Sequence, residues 1–155
     1  MKISTKNFGE ITINPEDIIN FEQGLPGFPG AKQFVVLFSG NEENEDEPDL
    51  LFYMQSINHT PDLSFVLVDM TLLLPEYRPE MLAQLEKDTD GGIDADTIAV
   101  YNIVTVYDDM SKSTVNLKAP VIIDITKKSG KQIICTSDEY PIRTLLFESN
   151  EGGEE

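Results

Sequence analysis

The side chains of this sequence that most readily suggest nucleophilic chemistry are Cys135 and His59, the only cysteine and the only histidine in the chain. A cysteine becomes a catalytic nucleophile when a neighbouring base or positive charge favours the thiolate. Cys135 lies in the β-type segment IICTS with no basic residue beside it, and His59 lies in the turn-like segment INHTPD. The local pattern therefore predicts a buried strand cysteine and a surface histidine. The sequence favours a protein without enzymatic activity, with a hydrolase that uses Cys135 or aspartate clusters as an open alternative.

A run of aspartates from Asp88 to Asp96, DTDGGIDAD, has the oxygen ligands that calcium prefers. An EF-hand loop counted from Asp88 would need a ligand at position 5, glycine at position 6 and a carboxylate at position 12. The chain has Gly92, Ile93 and Ala99 at those positions. We therefore expect a solvated loop, and no metal or cofactor. The sequence also contains no P-loop, no G-x-G-x-x-G and no G-x-S-x-G motif.

Binding chemistry is indicated by the segment DMTLLLPEYRPEML, from Asp69 to Leu82, which crowds apolar side chains around two prolines. Because proline interrupts a regular strand ladder, we expect some of these side chains to lie on the surface, where an apolar patch marks a contact site. The alternative is that they plug one end of a barrel. The residues predicted to bind a partner are Asp69, Met70, Leu72, Leu73, Pro75, Glu76 and Tyr77.

The charge balance limits which partners such a site would have. The chain of 155 residues carries 28 acidic and 11 basic side chains, a formal net charge of −17. A surface of that sign repels nucleic acid and anionic lipid and attracts a basic protein. The first residues lack the apolar core of a signal peptide, and no apolar run is long enough to span a membrane. We expect a cytoplasmic monomer that does not bind nucleic acid directly.

The elements that would position these residues are mostly strands. One helix is predicted, over Pro79–Lys87, because Pro79 suits a first turn and Lys87 the last. Turns are predicted at 24–30, which is rich in glycine and proline, and at 127–131, which contains lysine and glycine. The fold class is therefore an all-β, small antiparallel β-barrel-like domain with one short helix. Period-2 or β-branched patterns predict strands at Glu10–Ile13, Ile18–Phe21, QFVVLFS from Gln33, LFYMQSI from Leu51, SFVLVD from Ser64, TIAVYNIVTVY from Thr97, PVIIDI from Pro120 and KQIICTS from Lys131.

The predicted domain covers residues 1–147 and is followed by a disordered acidic tail at 148–155. Six carboxylates between Glu42 and Asp49 predict a second mobile segment at 41–49, because their repulsion disfavours a compact turn. The strand from Thr97 is apolar on both faces, so we expect it to be central and covered on both sides.

In the order and spacing of its segments the chain resembles the flagellar assembly factor FliW family, from about Phe8 to Leu146. One departure is Met70, where a proline after the aspartate is commoner in that family. The acidic run at 41–49 is an elaboration. The matching segments are FGEI from Phe8, EDIINFEQGLPGF from Glu16, MQSI from Met54, DLSFVLVD up to Asp69, PEY from Pro75, YNIVTV from Tyr101, STVNLKAP from Ser113, GKQII from Gly130 and YPIR from Tyr140.

The resemblance implies a β-barrel-like protein without enzymatic activity whose partners are flagellin and the RNA-binding translational regulator CsrA. Free protein of this family would bind the regulator and relieve repression of flagellin translation, and cytoplasmic flagellin would sequester the protein and restore repression. Whether the two partners share a surface is left open. The alternative function is a small-molecule carrier, since a β-barrel can hold a ligand when side chains do not fill its interior.

Overall fold

The structure is a computed structural model that describes residues 1–38, 51–71, 73–89 and 93–146. One α-helix, α1, spans Tyr77–Asp88, and short 3₁₀ helices cover Pro15–Asp17, Ala95–Thr97 and Met110–Lys112. The strands are β1 (Lys2–Thr5), β2 (Gly9–Thr12), β3 (Ile19–Asn20), β4 (Gln33–Phe38), β5 (Leu51–Ser56), β6 (Ser64–Val68), β7 (Ile98–Thr105), β8 (Thr114–Val115), β9 (Val121–Asp124), β10 (Ser129–Gln132) and β11 (Thr144–Leu145).

Seven of these strands close into a barrel, in the order β7-β6-β5-β4-β3-β10-β9 and back to β7. The neighbours pair antiparallel except β3 and β10, which meet in parallel at Asn20 and Ser129. Strands β8 and β11 extend the sheet beyond the ring, and β1 and β2 form a separate hairpin. The predicted fold class, a barrel-like β domain with one helix, is confirmed.

The barrel interior is filled by side chains from strands around the whole ring. Phe34 lies at the centre, with its ring centroid 5.3 Å from that of Phe21 and 6.2 Å from that of Phe65. At another point of the interior the rings of Phe52 and Tyr101 are 5.3 Å apart. Aromatic edge-to-face and tilted contacts at such distances are typical of a packed core. The buried interior residues are Ile19, Phe21, Leu25, Ala31, Phe34, Met54, Leu67, Val121 and Ile123.

A second apolar layer, which we call the helix layer, lies between α1 and the outer face of the barrel wall. Strand β7 shows the division, because Ile98, Val100 and Val104 face the helix layer while the alternate residues face the barrel interior. The prediction that this strand is central and covered on both sides is confirmed. The buried residues of the helix layer are Val68, Met70, Tyr77, Met81, Leu85, Ile98, Val100, Val104, Val115, Leu117, Ile122, Cys135, Tyr140 and Leu146.

The β1–β2 hairpin covers the remaining apolar face, where Ile3 and Ile13 pack against Val35 of β4. The corner that follows β3 contains the left-handed Gly24, at φ +68°, where an added Cβ would overlap the backbone of Pro29. Glycine is required there for both reasons.

Three details of the sequence prediction were wrong. Helix α1 begins at Tyr77, two residues before Pro79, which still lies in the first turn. Strand β10 ends at Gln132, so Cys135 is buried but outside any strand. Gly130 lies within β10 and not in the turn, where Lys128 takes the positive φ of 55°. An added Cβ on Gly130 would lie 2.5 Å from the Phe21 ring, so this glycine is needed for close packing.

The acidic run 41–49 and the tail 148–155 lie outside the described residues. Within the described ranges, no helix is long and apolar enough to cross a membrane.

Candidate partner-binding surface

Exposed apolar and acidic side chains meet at the start of α1, where the helix packs against the segment that precedes β11. Leu73 is 49% exposed and Ile142 is 63% exposed. Pro75 is exposed two residues before α1 begins. We call this region the α1 surface and define it by Leu73, Pro75, Glu76, Glu80, Glu139 and Ile142, all of which are exposed.

A buried hydrogen-bond network fixes the start of α1 to the barrel wall. The Asn102 amide group of β7 donates from Nδ2 to the Tyr77 hydroxyl (2.9 Å) and to the Asn116 carbonyl (2.9 Å). The Tyr77 hydroxyl in turn donates to the Leu117 carbonyl (2.6 Å). Burial of Tyr77 raises its pKa to about 12, against a smaller lowering by the Asn102 bond. These hydrogen bonds hold Tyr77 in place and so fix the start of α1 to the barrel wall.

Tyr140 ties the C-terminal segment to the same helix. Its ring meets the Tyr77 ring edge-on at a centroid distance of 4.8 Å. Its hydroxyl donates to the Glu80 carboxylate (2.5 Å). Pro141, the next residue, accepts at its carbonyl from the Leu117 amide (3.1 Å). These contacts hold Tyr140 against the first turn of α1, and Ile142 follows two residues later.

Three carboxylates surround the Tyr140 hydroxyl. Burial and the hydrogen bond to Glu80 raise the pKa of Tyr140 far above its ordinary value, and Glu139 and Glu76 raise it further. The described residues contain one ion pair within 4 Å, between Lys128 and Asp17 (3.9 Å), and neither residue belongs to α1. Among the described residues, therefore, the carboxylates of the α1 surface form no ion pair within 4 Å.

The side chain of Gln84 makes a second link between α1 and the C-terminal segment. Its amide nitrogen donates to the Ile134 carbonyl (2.9 Å), and its amide oxygen accepts from the Thr136 amide (3.0 Å). The amide thereby pairs with the backbone as a neighbouring strand would. With Tyr77 and Tyr140, it holds the α1 surface in one arrangement.

The structure separates the residues that the sequence predicted to bind a partner. Leu73, Pro75 and Glu76 are exposed on the α1 surface. Asp69 is exposed at the end of β6, where it accepts from the Thr71 amide (2.9 Å) and contributes to a raised pKa at Tyr101, after the larger effect of burial. Leu72 lies outside the described residues.

Met70 and Tyr77 need correction, because they are only 7% and 1% exposed. Both pack in the helix layer, since the chain turns under α1 after β6 and directs these side chains against β7. They support the surface from beneath and are not part of it. They do not plug an end of the barrel either, because the helix layer lies outside the barrel wall.

Cys135 and His59 lie in different parts of the fold. Cys135 is 1% exposed in the helix layer. His59 is exposed in the turn before β6, and its ring meets that of Phe28 edge-on at 6.3 Å. No Cys–His dyad forms between them in the described structure.

The aspartate-rich run 88–96, for which a solvated loop was predicted, lies partly outside the described residues, at 90–92. Asp94, inside the described part, accepts from the Asp96 amide (3.0 Å) and so caps the short helix Ala95–Thr97. Among described residues, no group of three or more histidines, cysteines and carboxylates could hold a metal ion.

Sequence reasoning missed Glu80, Glu139 and Ile142 as members of this surface. The available signal is the segment EYPIR from Glu139, in which a tyrosine and an isoleucine lie on either side of a proline. The residue of α1 that Tyr140 contacts is Glu80, which lies 60 residues away in the chain, so no local pattern reveals the contact.

Comparison with known proteins assigns the chain to a family. The family model described as FliW protein matches residues 2–146. A flagellar assembly factor FliW of Thermoanaerobacter pseudethanolicus is 38% identical over 148 residues, with 96% of this chain and 94% of that protein covered. A flagellar assembly factor FliW of Geobacillus thermodenitrificans is 40% identical over 151 residues, with 95% and 96% covered.

The fold agrees with these sequence matches. The crystal structure of a flagellar assembly factor FliW superposes with a TM-score of 0.76 at 37% identity, covering 94% of this chain and 96% of that one. The family predicted from the order of sequence segments is confirmed, and the chain belongs to the FliW family.

Proposed function

We propose that this protein is a flagellar assembly factor that acts by binding other proteins, without catalysis. The partners proposed are a CsrA-type translational regulator, which it antagonises, and flagellin, which sequesters it. The observation that supports a binding role is the α1 surface, where exposed apolar side chains are bordered by carboxylates that form no ion pair within 4 Å among the described residues. Such a combination suits a basic protein partner.

The apolar and acidic parts of the α1 surface have different effects on binding. Burial of Leu73 and Ile142 removes apolar area from water and slows dissociation. The carboxylates of Glu76, Glu80 and Glu139 speed association with a basic regulator and repel its RNA. Because a charge acts over about 8 Å at physiological salt, RNA would be excluded without its own binding site being covered.

Flagellin fits the same scheme as a competitor or as a second ligand. If both partners bind the α1 surface, or if one closes the other's site, the free concentration of this protein reports the amount of unassembled flagellin. Translation of flagellin is then coupled to the level of flagellin.

The small-molecule carrier is less well supported. The rings of Phe21, Phe34 and Phe65 fill the barrel interior where a ligand would lie. A groove of about 470 Å³ does exist, but it lies outside the barrel, between the end of α1 and the β9–β10 hairpin. Among its lining residues are Leu85, Ile98 and Ile122.

The test is direct binding of the purified regulator and of purified flagellin from the same cell, measured by calorimetry. Leu73→Arg should weaken regulator binding by about tenfold or more if the α1 surface is the contact. Ile125→Arg is the matched control, because Ile125 is 52% exposed in the β9–β10 turn and is not part of the α1 surface. Melting curves must show both variants folded.

Equal binding by Leu73→Arg and the wild type would place the contact elsewhere. Absence of binding of either partner to the wild type would overturn the proposed function itself. A double variant, Glu76→Gln with Glu139→Gln, should slow association at low salt and change dissociation little.

A further inference from the structure

Strand β11 lies at the edge of the sheet and pairs with β8 alone among the described strands. The Leu146 amide donates to the Ser113 carbonyl (3.0 Å). Because successive residues of an antiparallel strand direct their backbone groups to opposite sides, the N–H and C=O of Leu145 face away from β8. They have no backbone partner in the described part of the chain, so this edge can accept another strand.

The side chains beside this edge are apolar and exposed. Thr105, Thr114 and Leu145 lie opposite one another on three adjacent strands and therefore share one face. Tyr107, two residues beyond Thr105, stays beside β8 because its amide donates to the Ser113 hydroxyl (3.2 Å). Tyr107 is 45% and Leu145 is 50% exposed. We call Tyr107, Leu145 and the open backbone of Leu145 the β11 edge.

The charges near the β11 edge discriminate between possible occupants. Asp108 and Asp109 are exposed after β7, with Lys112 beside Asp109 and Arg143 next to β11. These four charges cancel. The whole chain carries a formal net charge of −17. A second copy of the chain is repelled by this charge, and a cationic segment is attracted by it.

We propose that the β11 edge binds an extended segment of a protein partner that alternates apolar residues with lysine or arginine. The segment adds to β11 as a further strand. Its backbone pairs with Leu145, its apolar side chains cover Tyr107 and Leu145, and its cations face an acidic protein. This surface is separate from the α1 surface, so the inference goes beyond the proposed function and does not depend on it.

A synthetic peptide of about ten alternating valines and lysines, blocked at both ends, is long enough to test strand addition. The full chain is titrated with it at low salt while amide hydrogen exchange is followed by nuclear magnetic resonance. Exchange of the Leu145 amide should slow by about tenfold, because that N–H becomes hydrogen-bonded to the peptide. The same peptide N-methylated throughout keeps the charge and the apolar side chains, loses its backbone donors, and should give no such protection.

Leu145→Pro removes the outward N–H, and Leu145→Val is its matched control because it keeps both the N–H and an apolar side chain. The proline variant should weaken peptide binding by about tenfold, and the valine variant by much less. If Leu145→Pro does not fold, the comparison of the two peptides on the wild type still decides.

Three results would overturn the proposal. The first is equal binding of the N-methylated peptide, which means attraction by charge alone. The second is protection at a different strand, or no binding of the alternating peptide. The third is a dimer in sedimentation that Leu145→Pro abolishes, which makes a second copy the occupant.

Discussion

The barrel interior and the helix layer are both buried, but they differ in chemistry. The centre of the interior is filled by Phe21, Phe34, Met54 and Leu67, none of which carries a hydrogen-bonding group. The helix layer contains the bonded polar side chains Tyr77, Asn102 and Tyr140. Apolar packing stabilises without specifying one orientation, whereas hydrogen bonds between fixed partners specify position.

The difference matters because the two layers support different features. The interior closes the barrel, while the network of the helix layer positions α1 and the segment around Ile142. The Asn102 Oδ1 atom is buried and has no hydrogen-bond partner among the described residues. Polar groups are therefore harder to satisfy in the helix layer than in the interior. Substitutions in the interior should therefore change stability, and substitutions in the helix layer should also change partner binding.

The largest expected effect is that of Phe34→Ala. Phe34 is fully buried, so the substitution leaves a cavity in the interior and should lower the free energy of unfolding by about 3–5 kcal/mol. Urea unfolding measures the change. Phe28→Ala is the control, because Phe28 is 37% exposed and should cost much less. Similar losses for both would mean that the interior is not packed as described.

Gly130→Ala tests the interior from the opposite direction, by adding volume. The new Cβ would lie 2.5 Å from the Phe21 ring, which is fully buried and has little room to move. Overpacking should cost about 1–3 kcal/mol in the free energy of unfolding. Gly30→Ala has nothing within 4 Å of the added Cβ and serves as the control. A neutral Gly130→Ala would show that Phe21 can shift.

Tyr77→Phe tests the helix layer. It leaves the ring in place and removes the hydroxyl that donates to Leu117 and accepts from Asn102. The Leu117 carbonyl then lacks this partner, so unfolding should require about 1–2 kcal/mol less. Partner binding through the α1 surface should weaken as well, because the Tyr77 hydroxyl bonds the start of α1 to Leu117 and Asn102. Tyr53→Phe, in β5 under the Phe8 ring, is the control and should change neither quantity.

If Tyr77→Phe lowered stability but left binding of the regulator unchanged, the helix layer would be structural only. The contrast drawn between the two layers would then be wrong.

The elements were largely predictable from the sequence, because alternation along a strand reports which faces are covered. The strand around Tyr101 is an example, since its apolar residues on both faces correctly predicted a central position. The role of Gly130 was not predictable, because a glycine between lysines is typical of a turn and its real constraint is the distant Phe21 ring. The α1 surface was predicted only at Leu73, Pro75 and Glu76.

What sequence reasoning lacked was the packing of α1. An amphipathic segment such as Met70–Tyr77 presents apolar residues whether they face a partner or the protein's own core. The burial of Met70 and Tyr77 depends on β7, and the link from Glu80 to Tyr140 spans 60 residues. Contacts of that separation are set by the fold and leave no local pattern.

The smallest effect at neutral pH, and the one that sharpens the comparison, is the response of stability to alkali. Burial raises the pKa of Tyr77 to about 12 from 10.0, and the pKa of Tyr140 is raised in the same direction. A tyrosine whose pKa is higher in the folded state stays protonated there while the unfolded chain loses its proton. Its contribution to stability is therefore complete below pH 10 and is lost as the pH rises from 10 to about 12.

Urea midpoints measured across that range should fall, and Tyr77→Phe should flatten the fall. Phe34→Ala should lower every midpoint while leaving the slope unchanged, because the interior side chain it removes does not titrate. If Phe34→Ala flattened the slope as much as Tyr77→Phe, alkaline loss would reflect general weakening of the fold and not the buried hydroxyls of the helix layer.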